Sequence, residues 1–498
     1  MNGNAQIILS DGNTFENEFD ENLYSIISQN KPYRSKFNDI SMSELFRICF
    51  EPICKYCVEY KEWLIFDETH WKRDTESMLI RQYMKKFILL LQMYCDNEIE
   101  DNDGDDETLT IINRYRAFVN KYAQTKYRES LIKDCRDEMS ISISEFDSKP
   151  NLINCENGTY DLDSGVLRDH CAEDYLTMIT KCSFPRKFQK IDFPRWDEFI
   201  DEITCGNKEV AAYLQRALGY SLFGVAKEEC MFIAYGKTTR NGKGTLFNTI
   251  HELLGDYAGT ISVNFICQGA NKGDNYEKAS PMLASLKGTR FVTMSESKDS
   301  GKLDEEIIKN YTGNDPIRAR NLYEKAFTFT PQFKMWLSCN TLPIVTDKSL
   351  YTSERLKVIT FDRHFDKDSQ DKTLKRQFLE DEAKAYIFRW LVEGYKEYKR
   401  IGLAEPKCIQ ENNLSYEKEN DLVANFLEDR CTPDDNGKVY RLDLYTAYKS
   451  WCKTNGLSLI SSHKFYKEME LKFQLSKIRG TYYFKGITLN SPGGIKIK

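Results

Sequence analysis

No stretch of the chain is apolar enough to cross a bilayer. The longest such run, FILLLQMYC from Phe87, is far shorter than a spanning helix. The start, MNGNAQIILSDGNTF, lacks both the basic residues and the long apolar core of a secretory signal. A positive surplus is also missing. Lys+Arg 70 against Asp+Glu 76 gives a net charge of −6, which argues against a nucleic-acid coat protein but not against a local basic surface. There is no second C-x-x-C, so no zinc ribbon can be completed. Cys49, Cys54, Cys57 and His70 have the right residue types for zinc, but they read better as thiols beside a helix and an imidazole flanking a strand. No repeat of 20–50 residues is found. With 15 cysteines and no signal, reduced thiols in a cytoplasmic protein without a membrane partner are expected.

What is present suffices for about three domains. The polar stretch 1–42 reads as a tail. Residues 43–190 are mostly helical in pattern, with a β signal at EWLIFDETHW and a hairpin signal at LINCENGTYDLDSGVLRDH. DNEIEDNDGDDE reads as a solvated acidic loop, because it lacks the ligand spacing of a calcium loop. Across 191–405 apolar strands alternate with helical stretches, which predicts an α/β domain with a parallel sheet. In 417–491 three helices and a β-hairpin, LSKIRGTYYFKGITL, are expected.

AYGKTTRNGKGTLF, Ala234 to Phe247, departs twice from the phosphate-binding pattern G-x-x-x-x-G-K-[ST]. Gly236 precedes Lys243 by one residue too many, and Gly244 replaces the hydroxyl after the lysine, with Thr245 one later. The context is nevertheless right. CMFIAYG predicts a buried strand, and GTLFNTIHELLG a helix stopped by Gly255. A glycine turn between them aims backbone N–H groups and the positive helix end at one spot. Gly236, Asn241, Gly242, Lys243, Gly244 and Thr245 are therefore the expected ATP-binding residues. Glu296 ends the apolar run RFVTMSES and is the candidate acid, sharing Mg²⁺ with Thr245 through ATP or water. Asn340 ends FKMWLSCN, where an amide could position a water. Arg355 precedes RLKVITF; taken alone it reads as a surface ion pair.

In their order, LQRALGYSLFG, YGKTTRNGKGT, LKGTRFVTMSES, KNYTGNDPIRARNLYEKAFTFTPQFKMWLSCNTLPIV and SERLKVITF resemble superfamily 3 helicases. They are most similar to the helicase part of phage, plasmid and poxviral primase–helicases. The resemblance covers roughly residues 43–490. It implies an AAA+-type P-loop ATPase core, a mainly α N-terminal domain and a C-terminal winged helix. It further implies a ring, usually hexameric, that moves on single-stranded or forked DNA, typically 3′ to 5′. Lys243 would bind phosphate, Glu296 would be the strand-end acid, Asn340 the sensor, and Arg355 the finger given to the adjacent subunit.

The resemblance also implies a pore hairpin from IRARNLY and AFTFT, with Glu324 and Lys325 at its tip. Lys325 is then the expected DNA contact, supported by Lys309, Arg318 and Arg320. From Tyr440 onward eleven Lys and Arg face three acids, an electrostatic footprint of phosphate binding. Lys464 and Lys467 on the last helix and Arg479 on the wing are the candidates there. Replication of a phage, plasmid or mobile element in a bacterial host is the expected setting, with an origin, a primase or a polymerase as possible partners. Primer synthesis is not expected from this chain. Two rival readings are an initiator ATPase that assembles on origins without unwinding, and a P-loop enzyme acting on small molecules.

Overall fold

Apolar residues fill consecutive positions in the central strands, so both faces of their sheet must be covered. The computed structural model describes residues 7–8, 14–15, 18–102, 104–185, 192–268, 281–295, 301–345, 347–457 and 459–490. Within them β1 (Met231–Tyr235), β2 (Ala258–Ser262), β3 (Phe291–Ser295), β4 (Lys334–Cys339) and β5 (Leu356–Thr360) run parallel in the order β2-β3-β4-β1-β5. Around them lie α1 (Pro194–Ile203), α2 (Lys208–Tyr220), α3 (Lys243–Leu254), α4 (Glu305–Thr312) and α5 (Asp381–Ile401).

The period of two decides which residues meet which helices. Phe232, Ala234, Trp336 and Ile359 pack with residues of α1, α2, α3 and α5. Met231, Ile233, Leu337 and Val358 turn to the other side, into a cluster that includes Ile308 of α4. Burying one such large side chain stabilises by roughly 1.5–3 kcal/mol. Two filled faces therefore make a rigid platform for the loops at the carboxyl ends of the strands. The helices start where polar side chains cap them. Asn207 accepts from the backbone of Glu209 and Val210, and Asp304 from Glu306 and Ile307.

Before this sheet lies a helical domain with a small sheet of its own, Cys54–Cys57, Glu62–Phe66, Trp71–Asp74 and Ser140–Ile141. The expected tail does not extend to residue 42. Helix Glu18–Asn30 places Leu23 and Ile27, one turn apart, in the same core as Phe46 and Phe87. The zinc group is not formed either. Cys54 and Cys57 point into different cores from opposite faces of one strand, and no metal-holding cluster exists among the described residues. LINCENGTYDLDSGVLR folds as a three-stranded meander. Arg290, buried just before β3, donates to the carbonyls of Pro150 and Leu222 and so ties this region to the sheet.

The C-terminal domain contains α6 (Leu422–Arg430), β6 (Cys431–Tyr440), α7 (Arg441–Thr454), α8 (Ser462–Lys472), β7 (Gln474–Ile478) and β8 (Thr481–Leu489). Its strands are antiparallel in the order β6-β8-β7. The three expected helices and the hairpin are there, with β6 as a further strand. The hairpin turns at Arg479 and Gly480, both at positive φ, as a two-residue turn matched to strand twist requires. No helix among the described residues is long and apolar enough to cross a membrane.

Candidate nucleotide site and nucleic-acid surfaces

β1 ends at Tyr235, the chain turns through 236–242, and α3 begins at Lys243. Gly236 is required by space. A Cβ there would lie 2.2 Å from Asn241 Nδ2 and 2.8 Å from the carbonyl of Phe361. Gly242 takes φ 86 at the helix start, where no side chain caps α3. The first N–H groups of α3 thus point into the loop, and Gly242 at the N-cap has no side chain to accept from them. Asn241 is buried and donates to Thr238 O at 2.7 Å, which makes it a former of the loop. A Cβ at Gly244 would meet nothing within 4 Å, so packing does not demand glycine there.

Lys243 and Asn340, far apart in sequence, meet at the carboxyl end of the sheet. Lys243 Nζ donates to Asn340 Oδ1 at 3.1 Å and to Cys339 O at 2.9 Å. The sheet order explains this, because β4 is the hydrogen-bonded neighbour of β1. Glu296, the expected acid, lies outside the described residues, directly after the end of β3 at Ser295.

A cleft of about 440 Å³ opens beside the loop, a size that accommodates a nucleotide-scale ligand. Asn241, Gly242, Gly244 and Thr245 line it together with Arg195, Phe199, Arg240, Leu374 and Lys375. Arg195, Phe199 and Leu374 carry no motif that would have marked them; α1 and the segment after β5 bring them to the cleft. At the rim the Thr373 hydroxyl and amide hold Asp371 below the usual carboxylate range. Arg195, Arg240, Lys372 and Lys375 line the cleft beside the start of α3, a set of donors that suits the phosphates of a nucleotide. Thr245, one residue beyond Gly244, brings a hydroxyl-bearing side chain to the lining of the cleft.

Arg355 lies at the other end of the sheet. Met231 pairs with Leu356, so Arg355 is level with the entry to β1, about 20 Å of strand away from the loop. Its side chain forms an ion pair with Glu229 at 2.6 Å and is 15% exposed.

The expected hairpin is present, with Ile317–Ala319 paired to Phe327–Phe329. Lys325 and Arg318 are exposed, whereas Arg320 falls just beyond its strand and is half-buried. The outermost side chain is Tyr323, wholly exposed, beside Leu322. The tip is fastened to the N-terminal domain, since Glu324 accepts from Arg73 at 2.6 Å and Arg73 lies over the Tyr60 ring. Lys309 is not at the tip. It lies on α4 and donates to Ser349.

In the C-terminal domain Lys467 and Arg479 are exposed, but Lys464 is half-buried. Burial and the Asp347 carboxylate raise the proton affinity of Glu305 in the core, and Lys464 opposes that rise. One turn on from Lys464, Glu468 forms an ion pair with Lys348 at 3.3 Å. That face of α8 therefore rests on the core. Elsewhere on this domain half-buried Arg441 lies over the rings of Tyr466 and Tyr482, and exposed Lys477 lies over Tyr482.

Three family models match: "D5 N terminal like" over residues 44–205, a "Family of unknown function (DUF5906)" over 234–355, and "Poxvirus D5 protein-like" over 418–485. The chain is 27% identical over 418 residues to "Putative helicase L207/L206" of Acanthamoeba polyphaga mimivirus, covering 79% of this chain and 42% of that protein. It is 22% identical to "Putative helicase 022R" of Frog virus 3, covering 70% and 44%. It is also 22% identical to "Putative helicase V13" of Sputnik virophage, covering 98% and 64%. The chain spans about two-fifths of the length of the first two relatives. Among solved structures, the apo C-terminal region of NrS-1 is similar at a TM-score of 0.44 and 9% identity, covering 87% of this chain and 96% of that one. With D5-type segments before and after its parallel sheet, and viral relatives that bear helicase names, the chain resembles the helicase part of D5-type primase–helicases.

Proposed function

We propose that this chain is an ATP-dependent DNA helicase with an AAA+-type core of superfamily 3, acting as a ring in the replication of viral DNA. The observation that carries the reading is the meeting of Lys243 and Asn340 at the carboxyl end of the sheet, beside the loop whose Asn241, Gly242, Gly244 and Thr245 line a nucleotide-sized cleft. In this reading Lys243 and the start of α3 take the phosphates of ATP, and Asn340 orients the attacking water. Thr245 and Glu296 hold Mg²⁺. Arg355 cannot serve its own subunit's loop from the opposite end of the sheet, so it acts on the ATP of a neighbour. That requirement supports a closed ring, six subunits being the family's habit, with single-stranded DNA passing 3′ to 5′. The hairpin and the outward cations of the C-terminal domain would grip the phosphates. Free thiols throughout the described chain suit a reducing cytoplasm. The viral sources of these relatives favour a virus over the phage or plasmid read from sequence.

Fork unwinding by the purified chain, beside its Lys243→Ala variant, tests the proposal. Strand displacement that needs ATP and disappears in the variant supports it. DNA binding and ATP turnover without displacement would favour the second reading, an origin-binding initiator, which the basic surface of the C-terminal domain also suits.

A further inference from the structure

Arg355 already holds partners within its own subunit. Its Nη2 donates to Glu229 Oε2 at 2.6 Å, and its Nη1 donates to Thr312 Oγ1 at 2.6 Å. The carbonyls of Glu229 and Lys309 lie 3.3 and 3.5 Å from the same Nη1. One guanidinium thus joins two separate parts: the entry to β1, where Glu229 lies two residues before the strand, and the last turn of α4. Thr312 is 3% exposed, and its hydroxyl donates to Ile308 O at 2.7 Å while accepting from Arg355. After Thr312 only residues 313–316 separate α4 from the first hairpin strand at Ile317. Glu229 has φ 46, a left-handed backbone that costs a non-glycine residue energy and persists only where surroundings impose it.

We infer that Glu229 and Thr312 are positioning residues that hold Arg355 back within its own subunit, and that its capture by a neighbour's nucleotide releases the end of α4 and the hairpin behind it. This rests on the reading of Arg355 as the group supplied across the subunit interface. The Arg355 side chain is only 15% exposed while it holds Glu229 and Thr312, so it must leave them to reach a phosphate charge on another subunit. Moving to the phosphate breaks two charge-assisted hydrogen bonds at once. The arrangement is a two-state element that both sites bias: nucleotide on the neighbour favours one set of partners, and the seated hairpin favours the other. Each hydrolysis event would then be registered in the hairpin of the subunit that lends the arginine.

The test is the number of base pairs opened per ATP hydrolysed on a forked duplex, using the full chain. Thr312→Val keeps the branched shape but removes the acceptor. The ratio should fall about tenfold or more, the scale of one hydrogen bond to a charged group, while Thr312→Ser keeps the parental ratio. Glu229→Gln weakens the hold, so ATP turnover should reach half its maximum at a lower protein concentration. A parental ratio in Thr312→Val overturns the inference. If that variant does not fold, an unshifted concentration dependence in Glu229→Gln overturns it instead. A mixture of Lys243→Ala and Arg355→Ala proteins that recovers no turnover would defeat the reading beneath it, whatever the ratio shows.

Discussion

Lys243 and Lys334 are both buried against the same parallel sheet, one at each end, with 5% and 2% exposure. Lys243 reaches Asn340 and two backbone carbonyls on a loop whose other residues line a cleft. Lys334 begins β4 at the amino end, donates to the carbonyls of Phe223 and Gln332, and lies over the Tyr220 ring. Burial, and then the nearby Arg290 guanidinium, push its ammonium well below the ordinary 10.5. Burying a lysine therefore does not mark a site. Loop geometry and access for a ligand separate the working end of the sheet from the end that holds the domains together.

Six substitutions would break or sharpen that contrast. The largest effect is expected for Arg355→Ala, which should lower kcat for ATP by about 10³–10⁵ if the arginine serves a neighbour's site. A normal kcat would return it to the structural end of the sheet. Lys243→Ala should cost about 10²–10³ in kcat, as loss of a preorganised charge contact does. Its melting temperature should stay near the parent's, which separates lost chemistry from lost fold.

Lys334→Met should affect stability, not turnover, and its effect should depend on pH. Between the lowered folded value and 10.5 the unfolded chain binds the extra proton, so stability rises with pH in that window. The penalty is absent above 10.5 and complete below the folded value. The parent should therefore gain on the variant as pH rises toward 10.5, by roughly 2–4 °C for each kcal/mol recovered. A gap that does not move with pH would mean that Lys334 stays charged when buried.

The smallest effect is expected at the outward cations. Lys467→Ala and Arg479→Ala should each weaken DNA binding uniformly across sequences and reduce the salt slope by about one. Lys464→Ala should change that slope less, because its face of α8 rests on the core. Equal slopes for all three would mean that α8 leaves the core to bind DNA.

Much of this was legible in the sequence where chemistry and periodicity agree. β1, β3, β4 and β5 are apolar runs; the phosphate loop carries its glycines and lysine; the hairpin alternates in period two around a polar tip. β2 was missed because AGTIS is short, small and at the sheet edge, where no second face demands apolar residues. β6 was hidden by Pro433, Asp434, Asp435, Asn436 and Gly437, which read as a turn and instead form an irregularity within a strand. The helix from Glu18 was lost in a polar background, since only tertiary packing reveals Leu23 and Ile27 as core. At the site, Arg195 and Phe199 could not be found at all. They lie more than forty residues before Lys243, and only the packing of α1 against Gly242 brings them to the cleft.

The account requires that Lys243 and Arg355 of one chain work in two different ATP sites. Mixing inactive Lys243→Ala with inactive Arg355→Ala and following ATP turnover against protein concentration tests this most directly. Partial recovery that appears as the two assemble is the expected result, because some interfaces then pair an intact loop with an intact arginine. Turnover that stays at the level of either variant alone, under conditions where the parent assembles and hydrolyses ATP, would contradict it.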